Sequence, residues 1–255
     1  MIELDHASHS VADRLIVDGV SLSIGRGEFC ALVGPSGSGK STTLKMINRL
    51  VPATAGAVRI DGRDVTERPP EQLRRSIGYV IQSTGLFPHW TVADNIATVP
   101  RLLNWPAERR RQRVAELLQL LRLDAKEGAK YPHQLSGGQQ QRVGVARALA
   151  ADPDILLMDE PFGALDPITR TALQSELAAI HRRLAKTILF VTHDIDEALR
   201  LADRVAILDR GRLVQLGAPQ EILANPVSDF VREFIGDPEL RQLALKIARA
   251  KDAHE

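Results

Sequence analysis

Short apolar runs alternate with amphipathic stretches along most of the chain. Three runs rich in Val, Ile or Leu, at Glu28–Val33, Ile155–Asp159 and Thr187–Val191, predict buried strands. Turn residues and then apolar residues at helical spacing soon follow each run. This rhythm predicts an α/β fold with a mostly parallel sheet whose strands are joined by crossover helices.

The first sixty residues show a different pattern. Ile2–Leu4, Val20–Ile24 and Ala57–Ile60 are short strand candidates, and Asp61-Gly62 is a strong hairpin signal. These segments predict an antiparallel N-terminal β-subdomain beside the parallel core.

Strand signals stop between about Thr91 and Tyr131, which predicts an inserted α-helical subdomain at about 88–150. Within it, Ala107–Leu121 carries apolar residues at helical spacing. The Arg109–Arg111 run on this helix is typical of a solvated face, and the alternative is a contact with a partner or with lipid headgroups. The residues predicted to form the buried face are Val114, Leu117, Leu118 and Leu121.

Composition excludes several classes of protein. The chain has 255 residues with 33 basic and 32 acidic side chains, a net charge of +1 that argues against a dedicated nucleic-acid binder. The longest apolar run, Phe29–Val33, is far shorter than the ~20 residues that a membrane span needs. The N-terminus lacks the apolar stretch of a secretory signal. Cys30, the single cysteine, cannot form an internal disulfide, and we expect it to be a core residue.

The strongest motif is Gly34-Pro-Ser-Gly-Ser-Gly-Lys-Ser41, which fits G-x-x-x-x-G-K-[ST] and lies between an apolar strand and a helical pattern, Ser41–Leu50. The glycines let backbone amides point at phosphate oxygens. Lys40 is placed to reach the outer phosphates, and the Ser41 hydroxyl to ligate Mg²⁺. The predicted nucleotide-binding residues are Gly34, Pro35, Ser36, Gly37, Ser38, Gly39, Lys40, Ser41 and Thr42.

A second apolar strand, Ile155–Asp159, ends in two adjacent acids. Asp159 is placed to hold Mg²⁺ through its water shell, and Glu160 points to the other side of the strand, where it can orient or deprotonate an attacking water. Acids commonly end strands at the surface, so this signal gains its weight from the phosphate-binding motif.

The segment Leu135-Ser-Gly-Gly-Gln-Gln-Gln-Arg142 distinguishes this chain from other nucleotide-binding proteins. With it, the chain resembles the ATP-binding subunits of ABC transporters over about Ile2 to Gly236. Ser136 and the glycines begin a helix running to about Ala150, so that free amides face outward. The resemblance implies that Ser136, Gly137, Gly138 and Gln139 of one subunit close on the γ-phosphate of ATP bound to the other.

Three further positions match the family. The resemblance implies that Gln82, after the strand Ile77–Ile81, touches Mg²⁺ and the attacking water and links the core to the helical subdomain. It implies that Ala164-Leu-Asp166, before the helix Pro167–Leu184, crosses the dimer interface. His193, just past Thr187–Val191, resembles the histidine that contacts the γ-phosphate. The predicted catalytic residues are Glu160, His193 and Gln82, and the predicted metal ligands are Ser41, Gln82 and Asp159.

One position departs from the family. An aromatic residue normally follows the first strand and stacks on adenine, whereas the alignment places Val11 there, and no Tyr, Phe or Trp lies between Met1 and Val20. Stacking on an aromatic ring is worth about 1–3 kcal/mol per base. We therefore expect weaker base discrimination, or a platform built by Val11 or His9.

The resemblance implies ATP hydrolysis by in-line attack of water, with ATP and Mg²⁺, in a homodimer or a pseudo-symmetric pair. It implies a peripheral position at the cytoplasmic face of the inner membrane, with separate permease subunits docking near Gln82–Trp90 and an extracytoplasmic solute-binding protein acting indirectly. The ATP-binding domain would be residues 1–236, followed by a helical tail at 237–255 with a helix at Glu239–Lys251. Many members carry paired CBS-type regulatory domains after the ATPase, and we expect none here because the sequence ends at Glu255.

The segments Gly85–Val92, Asn95-Ile96 and Val99–Trp105 resemble the subfamily that imports quaternary amines such as glycine betaine, choline, proline betaine and related osmoprotectants. Three alternatives remain. They are an ABC importer ATPase for another small solute such as an amino acid or anion, a non-transport ABC ATPase, and a P-loop kinase or GTPase. Non-transport ABC ATPases resemble tandem duplicates or carry long coiled-coil inserts, and this sequence shows neither feature. P-loop kinases and GTPases lack a segment like Leu135–Arg142, which is present here.

Overall fold

The computed structural model describes residues 1–163, 165–237 and 241. They form two compact units. The first combines residues 1–67 with those from Leu189 onward, and the second is Arg68–Ile188. The predicted C-terminal helix, Glu239–Lys251, lies outside the described residues except for residue 241, and the predicted boundaries of the helical subdomain stay a prediction.

The strands alternate with helices along the chain. The strands are β1 (Ile2–Val11), β2 (Arg14–Ile24), β3 (Phe29–Val33), β4 (Ala55–Ile60), β5 (Arg63–Asp64), β6 (Ile77–Val80), β7 (Ile155–Asp159), β8 (Thr187–Val191), β9 (Arg204–Asp209) and β10 (Arg212–Gly217). The helices are α1 (Lys40–Ile47), α2 (Pro70–Arg75), α3 (Val92–Ile96), α4 (Thr98–Leu102), α5 (Ala107–Leu120), α6 (Gly137–Leu149), α7 (Pro167–Leu184), α8 (Ile195–Leu201), α9 (Pro219–Ala224) and α10 (Asp229–Ile235).

The first unit contains the predicted antiparallel sheet, with strand order β2-β1-β4-β5. The hairpin between β4 and β5 turns at Asp61 and Gly62, with φ angles of 52° and 75° as a type I′ turn requires. β1 continues to Val11, well beyond the predicted Leu4, and is irregular near His6, where φ is 48°. The sequence concealed this extension because a bulge shifts which side chains face inward and breaks the alternation of polar and apolar residues.

The first unit also holds a parallel pair. β3 is buried along its whole length and runs parallel to β9, with Cys30 opposite Arg204 and Val33 opposite Ile207. Phe29 packs edge-to-face on Phe190, with ring centroids 5.3 Å apart. Cys30 is fully buried, as expected. The five apolar residues of β3 therefore place the phosphate-binding motif at the end of a core strand.

The second unit contains the parallel pair β6 and β7, whose register places Ile77 opposite Ile155 and Val80 opposite Met158. The helix predicted at Ala107–Leu121 is confirmed as α5, and its predicted face is buried, including Leu121 at the C-cap. Arg109 and Arg111 are exposed, and the Arg109 guanidinium lies 3.6 Å from the centre of the Trp105 ring. Among the described helices, none combines the length and apolar character required to span a bilayer.

Candidate functional site

The phosphate loop (Gly34–Ser41) lies in the first unit, between the end of β3 and the start of α1. Gly39 has a φ of 95°, and a Cβ there would approach the Ile16 carbonyl oxygen to 2.8 Å. At Gly34 a Cβ would come within 2.0 Å of the Leu208 carbonyl oxygen. The path of the loop thus requires glycine at both positions, because its backbone passes against neighbouring backbone.

Two polar side chains inside the loop suit an anionic ligand. The Lys40 ammonium is buried and donates to the carbonyl oxygens of Gly34 and Pro35, both at 2.8 Å. The Ser38 hydroxyl is also buried, and the described residues offer it no hydrogen-bond partner. A buried cation and an unsatisfied hydroxyl at the start of a helix fit the oxygens of a phosphate chain.

His193 lies in the same unit, directly after β8. Thr192 is anchored before it, because its amide donates to the Leu32 carbonyl at 3.2 Å and its hydroxyl to the Glu197 carboxylate at 2.6 Å. Asp194 follows as the N-cap of α8. The His193 side chain is exposed between these two fixed residues. Its backbone position is therefore set by the core strand and by the helix that follows.

In the second unit the structure brings two predicted catalytic residues together. Gln82 Nε2 donates a hydrogen bond to Glu160 Oε2 at 3.1 Å. The parallel register explains the pairing, because Val80 lies opposite Met158 and two further residues along each chain reach Gln82 and Glu160. Glu160 has a φ of 46°, a left-handed conformation that is unfavourable for a residue with a side chain.

Asp159 lies beside this pair but is buried at the end of β7, whereas Glu160 is half-buried. The pKa of Tyr79 on the neighbouring strand is raised to about 12, mainly by burial and to a smaller extent by the negative charge of Asp159. The two adjacent acids therefore occupy different environments, Asp159 at the buried end of the strand and Glu160 just beyond it.

The predicted metal ligands are all oxygen donors. They are the Ser41 hydroxyl, the Gln82 amide and the Asp159 carboxylate, a donor set that fits Mg²⁺. Over the ranges the structure describes, His, Cys, Asp and Glu form no cluster of three or more that could hold a metal ion. Mg²⁺ bound with a nucleotide takes most of its ligands from phosphate and water, so two or three protein oxygens suffice.

The signature segment (Leu135–Arg142) begins α6, as predicted. Ser136 is the N-cap, and its hydroxyl accepts the Gln139 amide at 3.3 Å while the Gln139 side-chain oxygen accepts the Ser136 amide at 2.9 Å. This reciprocal capping box fixes the start of the helix. The side-chain Nε2 of Gln139 also donates to the buried carboxylate of Glu127. The polar groups of Gln139 are thus engaged inside the unit.

The two glycines of the signature segment differ in their surroundings. A Cβ at Gly138 would come within 2.3 Å of Thr169 Cγ2, whereas a Cβ at Gly137 would meet no atom within 4 Å. Gly138 is buried against α7 and Gly137 is exposed. The missing side chain at Gly138 therefore allows α6 to pack closely on Thr169 of α7. Ser136 and Gly137 form the exposed start of α6.

Asp166 is the N-cap of α7 and accepts the amides of Ile168 and Thr169 at 3.1 and 3.0 Å. Hydrogen bonds from Thr169 lower the pKa of the Asp166 carboxyl, and the bond from the Thr169 side chain has a larger effect than the bond from its backbone. Asp166 is exposed, and the neighbouring Ile168 is 84% exposed. Ala164, which precedes them in the predicted interface loop, lies outside the described residues.

At the predicted adenine position, Val11 is 59% exposed at the end of β1. The ring of His9 is buried, and its Nδ1 lies 2.8 Å from the Pro52 carbonyl oxygen. The alternative platform at His9 is therefore wrong, because a buried ring offers no face to a base. Leu15, which sequence reasoning missed, is an exposed apolar residue on the adjacent strand β2.

Sequence reasoning also missed how α6 is fastened. Arg142 forms two 2.9 Å hydrogen bonds with the carboxylate of Glu176 and so joins α6 to α7. Arg147 reaches backbone carbonyls in the segment after Gln82. The arginines were visible in the sequence, but their partners lie far away along the chain.

Comparisons with known proteins agree with the motifs. The family model described as ABC transporter matches residues 17–163. The chain is 56% identical over 252 residues to the glycine betaine/carnitine/choline transport ATP-binding protein OpuCA of Bacillus subtilis, covering 98% of this chain and 66% of the relative. It is 55% identical to the glycine betaine uptake system ATP-binding protein YehX of Escherichia coli, covering 99% of this chain and 82% of that protein.

A solved structure is similar as well. The dimeric post-hydrolysis state of the ATP-binding cassette MJ0796 bound to ADP and Pi superimposes with a TM-score of 0.76 at 36% identity, covering 86% of this chain and 99% of that one. The likeness confirms the α/β fold predicted from the sequence. The chain spans less than two thirds of the length of several curated relatives, for example 64% of a choline transport ATP-binding protein from Bacillus subtilis.

Proposed function

We propose that this chain, which belongs to the ABC transporter family, hydrolyses ATP and couples that reaction to the import of a quaternary amine. The observation that carries the hydrolysis proposal is the hydrogen bond between Gln82 and Glu160 at the ends of two parallel strands. An amide and a carboxylate this close together support the proposal that one water is held by both.

The proposed roles follow from the chemistry of each group. The phosphate loop binds the phosphate chain through its amides, Lys40 and the Ser38 hydroxyl. Ser41 and Asp159, with Gln82, would hold Mg²⁺, which when bound neutralises charge on the phosphates. Glu160 accepts a proton from the attacking water, and His193 donates a hydrogen bond to the γ-phosphate.

We propose that two chains act together. Ser136 and Gly137 begin α6 with an exposed surface, and Ile168 beside Asp166 is an exposed apolar side chain at the start of α7. An exposed helix start suits an anion brought by another molecule, and an exposed isoleucine suits a protein interface. The related cassette MJ0796 is described as dimeric, with ADP and Pi bound.

The transported solute is proposed from the relatives, whose names state glycine betaine, carnitine and choline. The proposed partners are integral permease subunits docking near Gln82–Trp90 and, indirectly, an extracytoplasmic solute-binding protein. The proposed position is peripheral, on the cytoplasmic face of the inner membrane. Phe87 supports docking there, since it is 40% exposed beside Trp90.

Affinity purification of the tagged full chain from its own membranes tests this proposal. We expect permease subunits to co-purify and their partner receptor to bind glycine betaine, choline or carnitine in a calorimetric screen. A receptor that binds only an amino acid or an anion would overturn the cargo. Recovery of ribosomes or DNA in place of membrane proteins would overturn transport altogether.

A further inference from the structure

One guanidinium on the signature helix α6 holds the backbone that follows Gln82. Arg147 Nη1 donates to the Gly85 carbonyl at 2.6 Å, and Nη2 donates to the Thr84 carbonyl at 2.9 Å. Both carbonyls belong to what we call the Gln82 segment (residues 82–91). The helix that starts at the signature residues therefore ends with a two-point attachment to this segment.

The Gln82 segment lies close against α6 at this point. A Cβ at Gly144, one turn before Arg147, would lie 3.8 Å from the Thr84 carbonyl oxygen. Gly85 itself has a φ of 51°, and a Cβ there would come within 2.1 Å of Ile81 Cδ1. The backbone thus turns tightly where Arg147 grips it.

The other end of the Gln82 segment is held by Asn95 of α3, which is fully buried. Its side chain accepts the Phe87 amide at 2.7 Å and donates to the Phe87 carbonyl at 3.1 Å. With its backbone held at both ends, the segment presents Phe87 against Trp90, their ring centroids 4.6 Å apart. Displacement of the attachment at Thr84 and Gly85 would therefore reach these aromatic side chains.

The chemistry of Arg147 is unlike that of a packing residue. Burial lowers the pKa of its guanidinium, and its hydrogen bonds go to the backbone carbonyls of Gly85 and Thr84. Partly burying a cation against carbonyl oxygens carries a desolvation cost, which leucine or methionine at the same position would avoid. The position is thus suited to a guanidinium, whose planar group can donate hydrogen bonds to two carbonyls in a fixed geometry.

We propose that Arg147 is a positioning residue that carries displacement of the signature helix to Phe87 and Trp90. The proposal rests on the proposed function, in which ATP engages the start of α6. In the proposed function the phosphate loop binds the nucleotide, and Arg147 takes no part in that binding. Loss of Arg147 therefore uncouples the aromatic pair from ATP while leaving ATP affinity intact.

The test uses the fluorescence of Trp90 in the full chain. Trp90 and Trp105 are the two tryptophans, so Trp105→Phe leaves Trp90 as the single reporter. Glu160→Gln is added to retain bound ATP. In this background, adding MgATP is expected to shift the Trp90 emission, and Arg147→Met is expected to abolish most of that shift while changing the ATP dissociation constant less than about twofold.

Arg113 provides a matched control. On α5 it also grips two carbonyls, donating to Ala150 at 3.2 Å and Leu149 at 3.0 Å, at the far end of α6 from the signature segment. Arg113→Met is expected to retain the Trp90 shift. Arg147→Lys, which keeps the charge but can reach only one carbonyl at a time, is expected to retain part of it.

Hydrogen–deuterium exchange provides a second readout that does not depend on fluorescence. Loss of two hydrogen bonds from a charged donor predicts about tenfold or faster exchange of amides in residues 83–87 of Arg147→Met. A full Trp90 shift in Arg147→Met would overturn the proposal, as would a parent that binds ATP without any shift. A parent that fails to bind ATP would instead overturn the proposed function.

Discussion

Gln82 and Glu160 are joined by a 3.1 Å hydrogen bond from Nε2 to Oε2 across the ends of β6 and β7. The register of the two strands brings the residues that follow them side by side. An ionised carboxylate is a proton acceptor, and the amide that donates to it fixes its orientation. In the proposed function, this pair holds and deprotonates the attacking water.

Glu160→Gln is expected to lower ATP turnover by about 10²–10⁴-fold, because a neutral amide cannot accept the proton of water. ATP binding and nucleotide-held dimers should persist, since the phosphate loop is unchanged. Phosphate release and size-exclusion chromatography with ATP measure the two properties. Glu108→Gln, on the exposed face of α5, is the control. Near-normal turnover by Glu160→Gln would remove Glu160 from the mechanism.

The two signature glycines should respond differently to alanine. Gly138→Ala is expected to destabilise the chain by about 1–3 kcal/mol, because the new methyl group would overlap Thr169 Cγ2. Thr169→Ser removes that methyl group and keeps the hydroxyl, so the double variant should recover most of the loss. Urea unfolding of the single and double variants measures this coupling.

Gly137→Ala is the matched comparison, because a Cβ there meets nothing within 4 Å. Its unfolding free energy should stay within about 1 kcal/mol of the parent, while its ATP turnover should fall, since the proposed nucleotide contact lies on this face. A Gly137→Ala chain with full turnover would argue against that contact.

Val11→Tyr is expected to tighten ATP binding. The side chain at this position is 59% exposed, and an aromatic ring would supply stacking worth about 1–3 kcal/mol. Affinities for ATP and GTP before and after the substitution test the idea. Unchanged affinities in Val11→Tyr would show that the base binds elsewhere.

The buried thiol of Cys30 is expected to make the free energy of unfolding fall at alkaline pH. Burial raises the pKa of its thiol from 9.0 to about 12, so the folded chain binds this proton more tightly than the unfolded chain. The resulting stabilisation is complete below pH 9 and is lost as the pH rises towards 12. Between pH 8 and pH 10, the stability advantage of the parent over Cys30→Ala should therefore shrink by roughly 1.4 kcal/mol. An unchanged difference in urea unfolding would contradict this.

Local patterns predicted the elements that bear the site. The run from Phe29 to Val33, followed by glycines and Lys40, specified a buried strand, a loop and a helix, because each depends on neighbouring residues. The different roles of Gly137 and Gly138 could not be predicted, since they depend on Thr169 from another helix. The partners of Arg147 were hidden for the same reason, because backbone carbonyls leave no mark in the sequence.

Complementation between two inactive variants tests the shared active site most directly. Lys40→Ala removes the phosphate-binding cation and Ser136→Arg blocks the start of α6, so each variant alone should be inactive. If each chain contributes half of two sites, a mixed dimer has one intact site. The mixture should then recover about a quarter of the parental ATP turnover, since random pairing makes half of the dimers mixed. Turnover that stays at the level of the separate variants would contradict an active site built from two chains.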